Sequence, residues 1–480
     1  MYAGLQFAYW LTLHGFVTVV SVLLYAITAH VRQQRRHPTA AIAWVLFILL
    51  MPYLALPAFL TFGSRKLPRP RGRPTLLLSG ANSGVDADAR GAGVPWPVRT
   101  ALSLGQAPPA SYDSLHLHAD GHAALVALWQ TIAGARHSID LCTFIIGRDA
   151  IGLELIERLC AKARAGVRVR VLLDGLGSLM RSRPNLRPLR AAGAQFRLFV
   201  PPLHSPLKGR TNLRNHRKML VADAAHETRR LWCGGRNLAC EYFEGSAGEP
   251  PWLDLTFDLR GPAAEQAADL FEHDWSFANG IASVAPGPAG RDSAATAPSA
   301  ERAETAQLIA SGPDQTDDTV YALLVTAAYR ARWRIQLATP YFVPDAALLM
   351  ALCMAARRGV EVDLLLPARS NHPLSDMARR RALRALAAAG GRIWLTLGMM
   401  HAKLAVFDDV LALSGSANLD SRSLFLNYEL MMAFGDPVAV TGFAHWFAGG
   451  QALSSAYVPD RPGFARDVAD GLVLWLGFQL

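Results

Sequence analysis

The sequence contains little lysine, and nearly all of its positive charge is arginine. Only five of the 48 basic residues are lysine, so a repeated motif that requires lysine is a specific signal. Hydrophobic residues make up 51% and charged residues 18% of the 480 positions, which excludes an intrinsically disordered chain. The length accommodates about three units of 100–200 residues. The net charge of +10 suits an anionic partner, either a lipid headgroup or a nucleic acid, without choosing between them.

Cysteine is also scarce, with five residues, an odd number, and no Cys-x-x-Cys pair. This pattern disfavours both a disulfide framework and a structural zinc site. We therefore expect buried free thiols in a reducing compartment.

Two long apolar runs without acidic or basic residues stand at the N-terminus. Phe7–Ala29 and Ala40–Phe62 each extend over 23 residues, and about 20 apolar residues span a bilayer as a helix. The first run lacks the basic start of a signal peptide, and a second run follows at once. We therefore predict a transmembrane hairpin within residues 1–64, with spans at about 7–29 and 40–62. Pro52 and Pro57 leave a re-entrant hairpin open.

The basic residues beside the two runs indicate the orientation. Five follow the second run and three lie between the runs, which places the C-terminal side in the cytoplasm. They are Arg65, Lys66, Arg69, Arg71 and Arg73, and Arg32, Arg35 and Arg36.

The remainder of the chain is organised as an internal duplication. Stretches rich in Pro, Gly, Ala and Ser predict linkers at 65–110 and 285–304, which leave two domains at 111–284 and 305–480. Each domain begins with a strand, a helix and a second strand: Ser138–Ile146 and Arg164–Asp174 in the first, Trp333–Phe342 and Arg358–Pro367 in the second. This order predicts α/β domains with a largely parallel sheet.

Each domain carries the same motif, H-x-K-x4-D. The first copy is His216, Lys218 and Asp223, and the second is His401, Lys403 and Asp408. A glycine-rich turn with an asparagine follows each copy, at Asn237 and at Asn418. Because residues i and i+2 of a strand point to one face, the histidine and lysine of each copy project together.

Two such pairs around one pocket suit a phosphodiester anion. One neutral imidazole attacks phosphorus and forms a phosphohistidine, and the other donates a proton to the leaving alkoxide. The lysines and asparagines stabilise charge on the non-bridging oxygens. Two ammonium groups repel a divalent cation and no metal-ligand pattern is present, so we expect neither a metal nor another cofactor.

The paired motifs resemble those of the phospholipase D superfamily, and further residues resemble bacterial cardiolipin synthases. These are Asn212-Leu-Arg-Asn-His-Arg-Lys218, Gly415-Ser-Ala-Asn-Leu-Asp-Ser-Arg-Ser423 and Asn427-Tyr-Glu429. The order of parts is similar as well: a two-span hairpin and then two catalytic halves. The resemblance implies two homologous phospholipase D-like α-β-α halves packed face to face.

The resemblance also implies a reaction and roles for individual residues. A phosphatidyl group would pass from one phosphatidylglycerol to another, giving cardiolipin and glycerol. The family favours His216 as nucleophile and His401 as acid, although the symmetry of the motifs leaves the order open. The aspartates of the motif tend to be structural in this family. Glu429 matches a glutamate that steadies a catalytic histidine, and Glu241 is expected to be its counterpart.

Three classes of function remain open. The favoured one is a membrane phosphatidyltransferase of the bacterial inner membrane, acting on phosphatidylglycerol among anionic lipids, with its catalytic halves in the cytoplasm. The second is a hydrolase, phosphodiesterase or nuclease of the same superfamily; the apolar hairpin and the lack of an aromatic-basic platform disfavour a nucleic acid partner. The third, an inactive scaffold, is disfavoured because both motifs are intact.

Overall fold

The computed structural model describes residues 2–31, 38–62, 94–180, 184–201, 213–246, 248–280, 304–315, 317–464, 466–467, 470–471 and 473. The chain divides into two compact units, one comprising Met1–Arg73 with Val200–Leu213 and the other comprising the rest. The predicted linker 285–304, except its last residue, and most of the linker 65–110 lie outside the described residues. The basic residues that predicted the orientation lie outside them too.

Among its described residues, the first unit has three helices, α1 (Tyr2–Val31), α2 (Pro38–Leu50) and α3 (Pro52–Phe62). The second predicted span is thus divided at Met51, because a residue before proline is disfavoured in helical conformation. Tyr25 packs edge-on against Phe59 at 4.9 Å between ring centroids. Within the described part of the chain, no helix combines the length and the apolar character needed to cross a membrane. The transmembrane hairpin stays a prediction.

The second unit opens with a helix and a short strand and continues into the first half of the duplication. Asp120 and Asp149 cap α5 and α6 by accepting backbone N–H groups of their first turns, which is the ordinary N-cap interaction. The elements are α4 (Trp96–Ser103), β1 (Ala110–Ser111), β2 (Ser114–His118), α5 (Gly121–Gly134), β3 (Ser138–Thr143), α6 (Ala150–Arg164), β4 (Arg168–Leu173), α7 (Gly177–Met180), α8 (Arg187–Ala191), β5 (Gln195–Leu198), β6 (Arg214–Asn215), β7 (Met219–Ala222), β8 (Arg230–Gly234), β9 (Thr256–Arg260) and α9 (Ala263–Ala278).

The second half repeats this order, with Asp345 and Asp436 as the caps of its α11 and α15. Its elements are β10 (Thr305–Ser311), α10 (Thr319–Arg330), β11 (Arg334–Ala338), β12 (Phe342–Val343), α11 (Ala346–Arg357), β13 (Glu361–Pro367), α12 (Pro373–Ala378), α13 (Arg380–Ala388), β14 (Arg392–Thr396), β15 (Leu404–Phe407), β16 (Leu411–Gly415), β17 (Leu419–Asp420), α14 (Ser421–Phe425), β18 (Asn427–Phe434), α15 (Pro437–Ala452) and β19 (Ser454–Ala456).

The two central sheets have the same strand order. The first is β2-β9-β8-β7-β3-β4-β5, and the second contains β10-β18-β16-β15-β11-β13-β14, extended by β1 and β19 at its ends. The expectation of a largely parallel sheet is wrong. Along these strand orders, neighbouring strands within β3-β4-β5 and within β11-β13-β14 are parallel, and each such pair is joined by a crossover that contains a helix. The motif strands β7 and β15 pair antiparallel with β3 and β11.

The two halves meet along their aromatic core. Phe257 on β9 contacts Phe434 on β18 and Phe443 on α15, at 5.5 and 6.4 Å between ring centroids. All three side chains are completely buried, so apolar burial favours this association. The Tyr112 hydroxyl also donates to Asp436 across 2.6 Å.

Candidate active site

Each H-x-K segment reaches across to the opposite half. The His216 N–H donates to the carbonyl of Tyr428 at 2.9 Å, and the His401 N–H donates to the carbonyl of Leu253 at 2.7 Å. The short strand β6 pairs in parallel with β18 just before His216. Each histidine is therefore fixed by the backbone of the other half, and the two motifs converge where the halves join.

A carboxylate from the opposite half also holds each imidazole. His216 Nδ1 lies 3.1 Å from Glu429 Oε1, and His401 Nδ1 lies 3.0 Å from Asp254 Oδ2. Burial raises the pKa of each acid, but the histidine and a lysine beside it outweigh burial and leave both pKa values below their ordinary range. An ionised carboxylate only accepts hydrogen bonds, so we assign the hydrogen of each imidazole to Nδ1, which leaves the lone pair on Nε2.

Asp254 takes the place that the sequence analysis assigned to Glu241. Asp254 lies just before β9, and Glu429 lies near the start of β18, the equivalent strand of the second half. Each acid contacts the histidine of the other half. Glu241 belongs instead to a short turn, where its carbonyl accepts the N–H of Trp252 at 2.8 Å. A signal was present in the sequence, since each acid is followed by leucine close to the start of β9 or β18.

The lysines of both motifs are buried in the same centre. Lys218 Nζ donates to the carbonyl of His216 at 2.7 Å. Lys403 Nζ contacts the carbonyl of His401 and lies 2.9 Å from its Nδ1. Burial lowers the pKa of Lys218 to about 8. Burial and the positive charge of Lys218 together lower the pKa of Lys403 to about 7. The two ammonium groups thus repel each other across the junction of the halves.

Burial disfavours the charged form of both imidazoles. Burial, reinforced by Lys403, lowers the pKa of His401 to about 3. Burial also lowers the pKa of His216, against the opposing charge of Glu429. The pKa of each histidine is also lowered by the charge of the lysine in the other half. The four basic groups therefore influence one another electrostatically. An anion placed among them favours their protonation.

The two asparagines occupy equivalent buried positions after the glycine turns. Asn237 Nδ2 donates to the hydroxyl of Tyr242 at 2.8 Å. The Oδ1 atoms of Asn237 and Asn418 are buried, and neither has a hydrogen-bond partner among the residues that the structure describes. Tyr242 also packs edge-on against His401 at 5.2 Å, as Phe144 does against His216. Polar side chains and aromatic walls thus surround both imidazoles.

The motif aspartates lie at the far end of the motif strands. Asp223 accepts backbone N–H groups from Arg136, His137 and Ser138 at 2.7–3.2 Å. Asp408 binds the equivalent amides of residues 332–334. Both aspartates adopt a φ of 51°, a left-handed conformation that Asp tolerates. These contacts anchor the start of β3 and β11, so both motif aspartates have a structural role and not a catalytic one.

Asp274 is a site residue that the sequence analysis missed. It accepts the Nδ2 group of Asn215 at 2.8 Å and forms an ion pair with Arg217; all three side chains are fully buried. Asn215 and Arg217 flank His216, so the pair of contacts fixes the strand on which His216 lies. Arg217 also donates to the carbonyl of Glu429 at 3.1 Å, which ties the two halves together.

The arrangement suits acid–base and nucleophilic chemistry on a phosphate. Within the described ranges, no group of three or more His, Cys, Asp or Glu side chains is placed to hold a metal ion. Two imidazoles can serve as nucleophile and proton donor in such chemistry, and ammonium groups can stabilise the charge on phosphate oxygens.

Comparison with known proteins identifies the class of protein to which this fold and sequence belong. The structure superposes on phosphatidylserine synthase from Haemophilus influenzae Rd KW20 with a TM-score of 0.58 and 14% identity, covering 80% of this chain and all of that one. Residues 128–275 and 324–449 match the family described as cardiolipin synthase, PLD-like domain, and residues 17–64 match the phospholipase D-nuclease N-terminal family. Fold and family together define a two-domain phospholipase D-like protein.

Full-length relatives make the assignment more specific. Cardiolipin synthase A of Serratia proteamaculans (strain 568) is 30% identical over 488 residues, covering 96% of this chain and 95% of the relative. Cardiolipin synthase 1 of Bacillus anthracis is 30% identical over 441 residues, covering 88% and 85%. The chain belongs to the cardiolipin synthase family of the phospholipase D superfamily. The resemblance noted in the sequence is confirmed, as is the expectation of an enzyme of this type.

Proposed function

We propose that the protein is a membrane-bound cardiolipin synthase that joins two phosphatidylglycerol molecules through a phosphohistidine. In the first step, Nε2 of His216 attacks phosphorus of the donor lipid, the bond to the glycerol oxygen breaks, and His401 gives that oxygen a proton. In the second step, a hydroxyl of the acceptor lipid attacks phosphorus, the P–N bond breaks, and His401 takes the hydroxyl proton. The products are cardiolipin and glycerol.

The observation that carries this proposal is that each half supplies the carboxylate that holds the histidine of the other half. Glu429 and Asp254 each hold Nδ1 of the opposite histidine at 3.0–3.1 Å, so both imidazoles are oriented with Nε2 available for reaction. In serine proteases, the aspartate of the catalytic triad orients the histidine through the same kind of contact with Nδ1. Asn237 and Asn418 supply further polar groups for the phosphate oxygens.

The proton that His401 donates enters with the substrate. The pKa of His401 is lowered to about 3, because burial and Lys403 oppose its charge. A phosphodiester placed between the lysines offsets their mutual repulsion and raises the pKa values of the basic groups. We therefore expect the first phosphatidylglycerol to bind together with a proton.

The location follows from the substrate and the N-terminus. We place the enzyme in the bacterial inner membrane, anchored by a hairpin within residues 1–64, with both catalytic halves in the cytoplasm. Two runs of 23 uncharged residues support the anchor, as does the match of residues 17–64 to the N-terminal family. Proteolysis of right-side-out and inverted vesicles tests the orientation: the catalytic halves should be cleaved only in inverted vesicles.

The full-length protein in detergent, supplied with phosphatidylglycerol carrying ³²P and without added metal, tests the reaction. We expect glycerol release with cardiolipin formation, and a protein denatured at alkaline pH that carries label, because a P–N bond survives alkali and is hydrolysed by acid. His216→Ala should lose both the product and the label, and His401→Ala should lose turnover.

The control variant is His226→Ala. His226 stacks on His137 at 3.7 Å between ring centroids, away from the carboxylates of the centre, and this variant should remain active. Phosphatidic acid as the sole product would indicate a hydrolase instead, and cleavage of DNA alone would indicate a nuclease. Substantial turnover in either His216→Ala or His401→Ala contradicts the two-histidine scheme.

A further inference from the structure

The carboxylate of Glu429 accepts side-chain hydrogen bonds at both of its oxygens. Ser416 Oγ donates to Oε2 at 2.6 Å, and Ser423 Oγ donates to Oε1 at 2.8 Å. Asn427 Nδ2 adds a longer contact with Oε1 at 3.2 Å. Nδ1 of His216 lies at almost the same distance from the two oxygens, 3.1 Å from Oε1 and 3.2 Å from Oε2. One hydroxyl on each side therefore keeps both oxygens facing the imidazole.

Ser423 is itself fixed by the short helix α14. Its backbone N–H donates to the carboxylate of Asp420 at 2.7 Å, and Asp420 is the N-cap of this helix. The side chains of Ser423 and Glu429 are 1% and 0% exposed, so Oε1 of Glu429 relies on the protein and not on bulk water for its hydrogen bonds. Ser423 thus lies between two buried carboxylates and donates one hydrogen bond to each.

The first half has no room for a hydroxyl at the position equivalent to Ser416. This residue lies two positions before the asparagine of the glycine-rich turn, where the first half has Gly235. A Cβ atom at Gly235 would lie 2.2 Å from Oδ1 of Asp254. That oxygen accepts the backbone N–H of Leu255 at 2.7 Å. Asp254 is therefore held by the backbone at the place where Glu429 is held by a hydroxyl.

The position equivalent to Ser423 also differs between the halves. It lies five residues after the turn asparagine, where the first half has Tyr242. The Tyr242 hydroxyl accepts Nδ2 of Asn237 at 2.8 Å, and its ring packs edge-on against His401. Tyr242 thus contacts the histidine of the other half directly, whereas Ser423 reaches the histidine of the other half through a carboxylate.

We propose that Ser423 is a positioning residue that holds Glu429 against His216 and thereby sets the rate at which His216 forms the phosphohistidine. The inference rests on the proposed function, in which Nε2 of His216 attacks phosphorus. That attack requires the Nε2 lone pair to point at phosphorus, and the contact of Nδ1 with Glu429 fixes the plane of the ring. Without Ser423, Oε1 loses its shorter donor, the carboxylate gains freedom to rotate, and the imidazole is oriented less well.

The Ser423 hydroxyl also limits how strongly Glu429 attracts the protonated form of His216. Burial lowers the pKa of His216, Glu429 opposes this effect, and Lys218 and Lys403 reinforce it. A hydroxyl that donates to Oε1 stabilises the negative charge there, so less of that charge acts on the imidazole. Removing the hydroxyl should therefore raise the pKa of His216, and the nucleophile should become protonated at a higher pH.

The test measures the first step of the reaction in the full-length enzyme in detergent. With enzyme in excess over ³²P-labelled phosphatidylglycerol, few enzyme molecules hold an acceptor lipid. Glycerol release and label on the alkali-denatured protein then report the attack by His216. Ser423→Ala should slow this step by about 10- to 100-fold, the usual effect of losing a hydrogen bond to a charged group. The acid limb of its pH–rate profile should move to higher pH, because neutral His216 is the attacking form.

Matched variants separate the hydroxyl from packing. Ser423→Thr keeps the hydroxyl and should retain more of the rate than Ser423→Ala. Ser454→Ala removes a hydroxyl that donates to the carbonyl of Gly450 at 2.7 Å, and should leave the rate and the pH profile unchanged. A single-turnover rate constant does not depend on the fraction of enzyme that is folded, so partial misfolding does not imitate the effect.

The outcomes distinguish this inference from the proposed function. A labelled wild type together with a Ser423→Ala variant of equal rate constant overturns the role of Ser423 and leaves the phosphohistidine intact. Equal losses in Ser423→Ala and Ser423→Thr, with the pH profile of the wild type, assign Ser423 to packing alone and overturn its role as well. Failure of the wild-type protein to carry label overturns both proposals.

Discussion

Replacing Lys403 with methionine should make the protein more stable while abolishing turnover. Lys403 is 1% exposed, and its pKa falls from 10.5 to about 7 on folding. The unfolded chain therefore binds more protons than the folded chain between these pH values, so wild-type stability rises with pH across this window. Since each unit of pKa shift corresponds to about 1.4 kcal/mol, the lowered pKa of Lys403 destabilises the folded protein by about 4 kcal/mol near pH 7.

Methionine removes this penalty but also loses favourable contacts. The amine is attracted by Asp254 and donates to the carbonyl of His401. Losing these contacts offsets part of the gain, so we expect a net stabilisation of about 1–3 kcal/mol at pH 7. Turnover should fall by at least about 10²-fold, since an electrostatic partner of the phosphate is lost.

Thermal unfolding of the full-length protein in detergent, followed by near-ultraviolet circular dichroism at pH 7 and pH 10, measures the effect. The midpoint of Lys403→Met should exceed that of the wild type at pH 7, and the order should reverse at pH 10, because the wild type regains most of the roughly 4 kcal/mol over this range. Lys162→Met is the control: Lys162 donates to the carbonyls of Ala133 and Ala135, so its loss should lower the midpoint at both pH values. A variant less stable than the wild type at pH 7, or a gain independent of pH, refutes the reasoning.

Three further predictions concern the same centre. Asp254→Asn should lower turnover by about 10²–10⁴-fold with little change in the unfolding midpoint, because an amide no longer fixes Nδ1–H of His401; turnover within a factor of two of wild type would assign that task elsewhere. Asp223→Ala should cost about 2–4 kcal/mol, because three amides lose an acceptor and alanine disfavours φ of 51°, whereas Asp223→Asn should cost less; denaturant unfolding measures both, and equal costs would contradict the anchoring role. Inhibition by inorganic phosphate should weaken as the pH rises through 7 and 8, since Lys403 and Lys218 lose their charge there; inhibition that strengthens over this range would contradict it.

The sequence predicted the elements of the site that are local patterns. The two H-x-K-x4-D motifs and the asparagines after the glycine turns are short, repeated strings, and the structure places their histidines and lysines where the halves join. The strand–helix–strand order also predicted the parallel part of each sheet. This order did not predict that the motif strands pair antiparallel with their neighbours, because a strand that follows a long loop can pair in either direction.

The partners of the histidines could not be predicted in the same way. Asp254 lies 147 residues before His401, and Glu429 lies 213 residues after His216. No periodicity within one half indicates that its carboxylate serves the other half. Resemblance to the family selects Glu241 as the counterpart of Glu429, whereas equivalence in the sheet selects Asp254. Sheet register, which sequence alone does not give, was the missing information.

The crossed carboxylates also limit how the two repeats can evolve. A substitution at Asp254 alters the basicity of an imidazole in the other copy, so neither copy is able to diverge without consequences for its twin. An ancestral single repeat would have had a histidine without its acid and would have become competent only by dimerising with a second molecule. In this view the duplication joined two halves that already depended on each other.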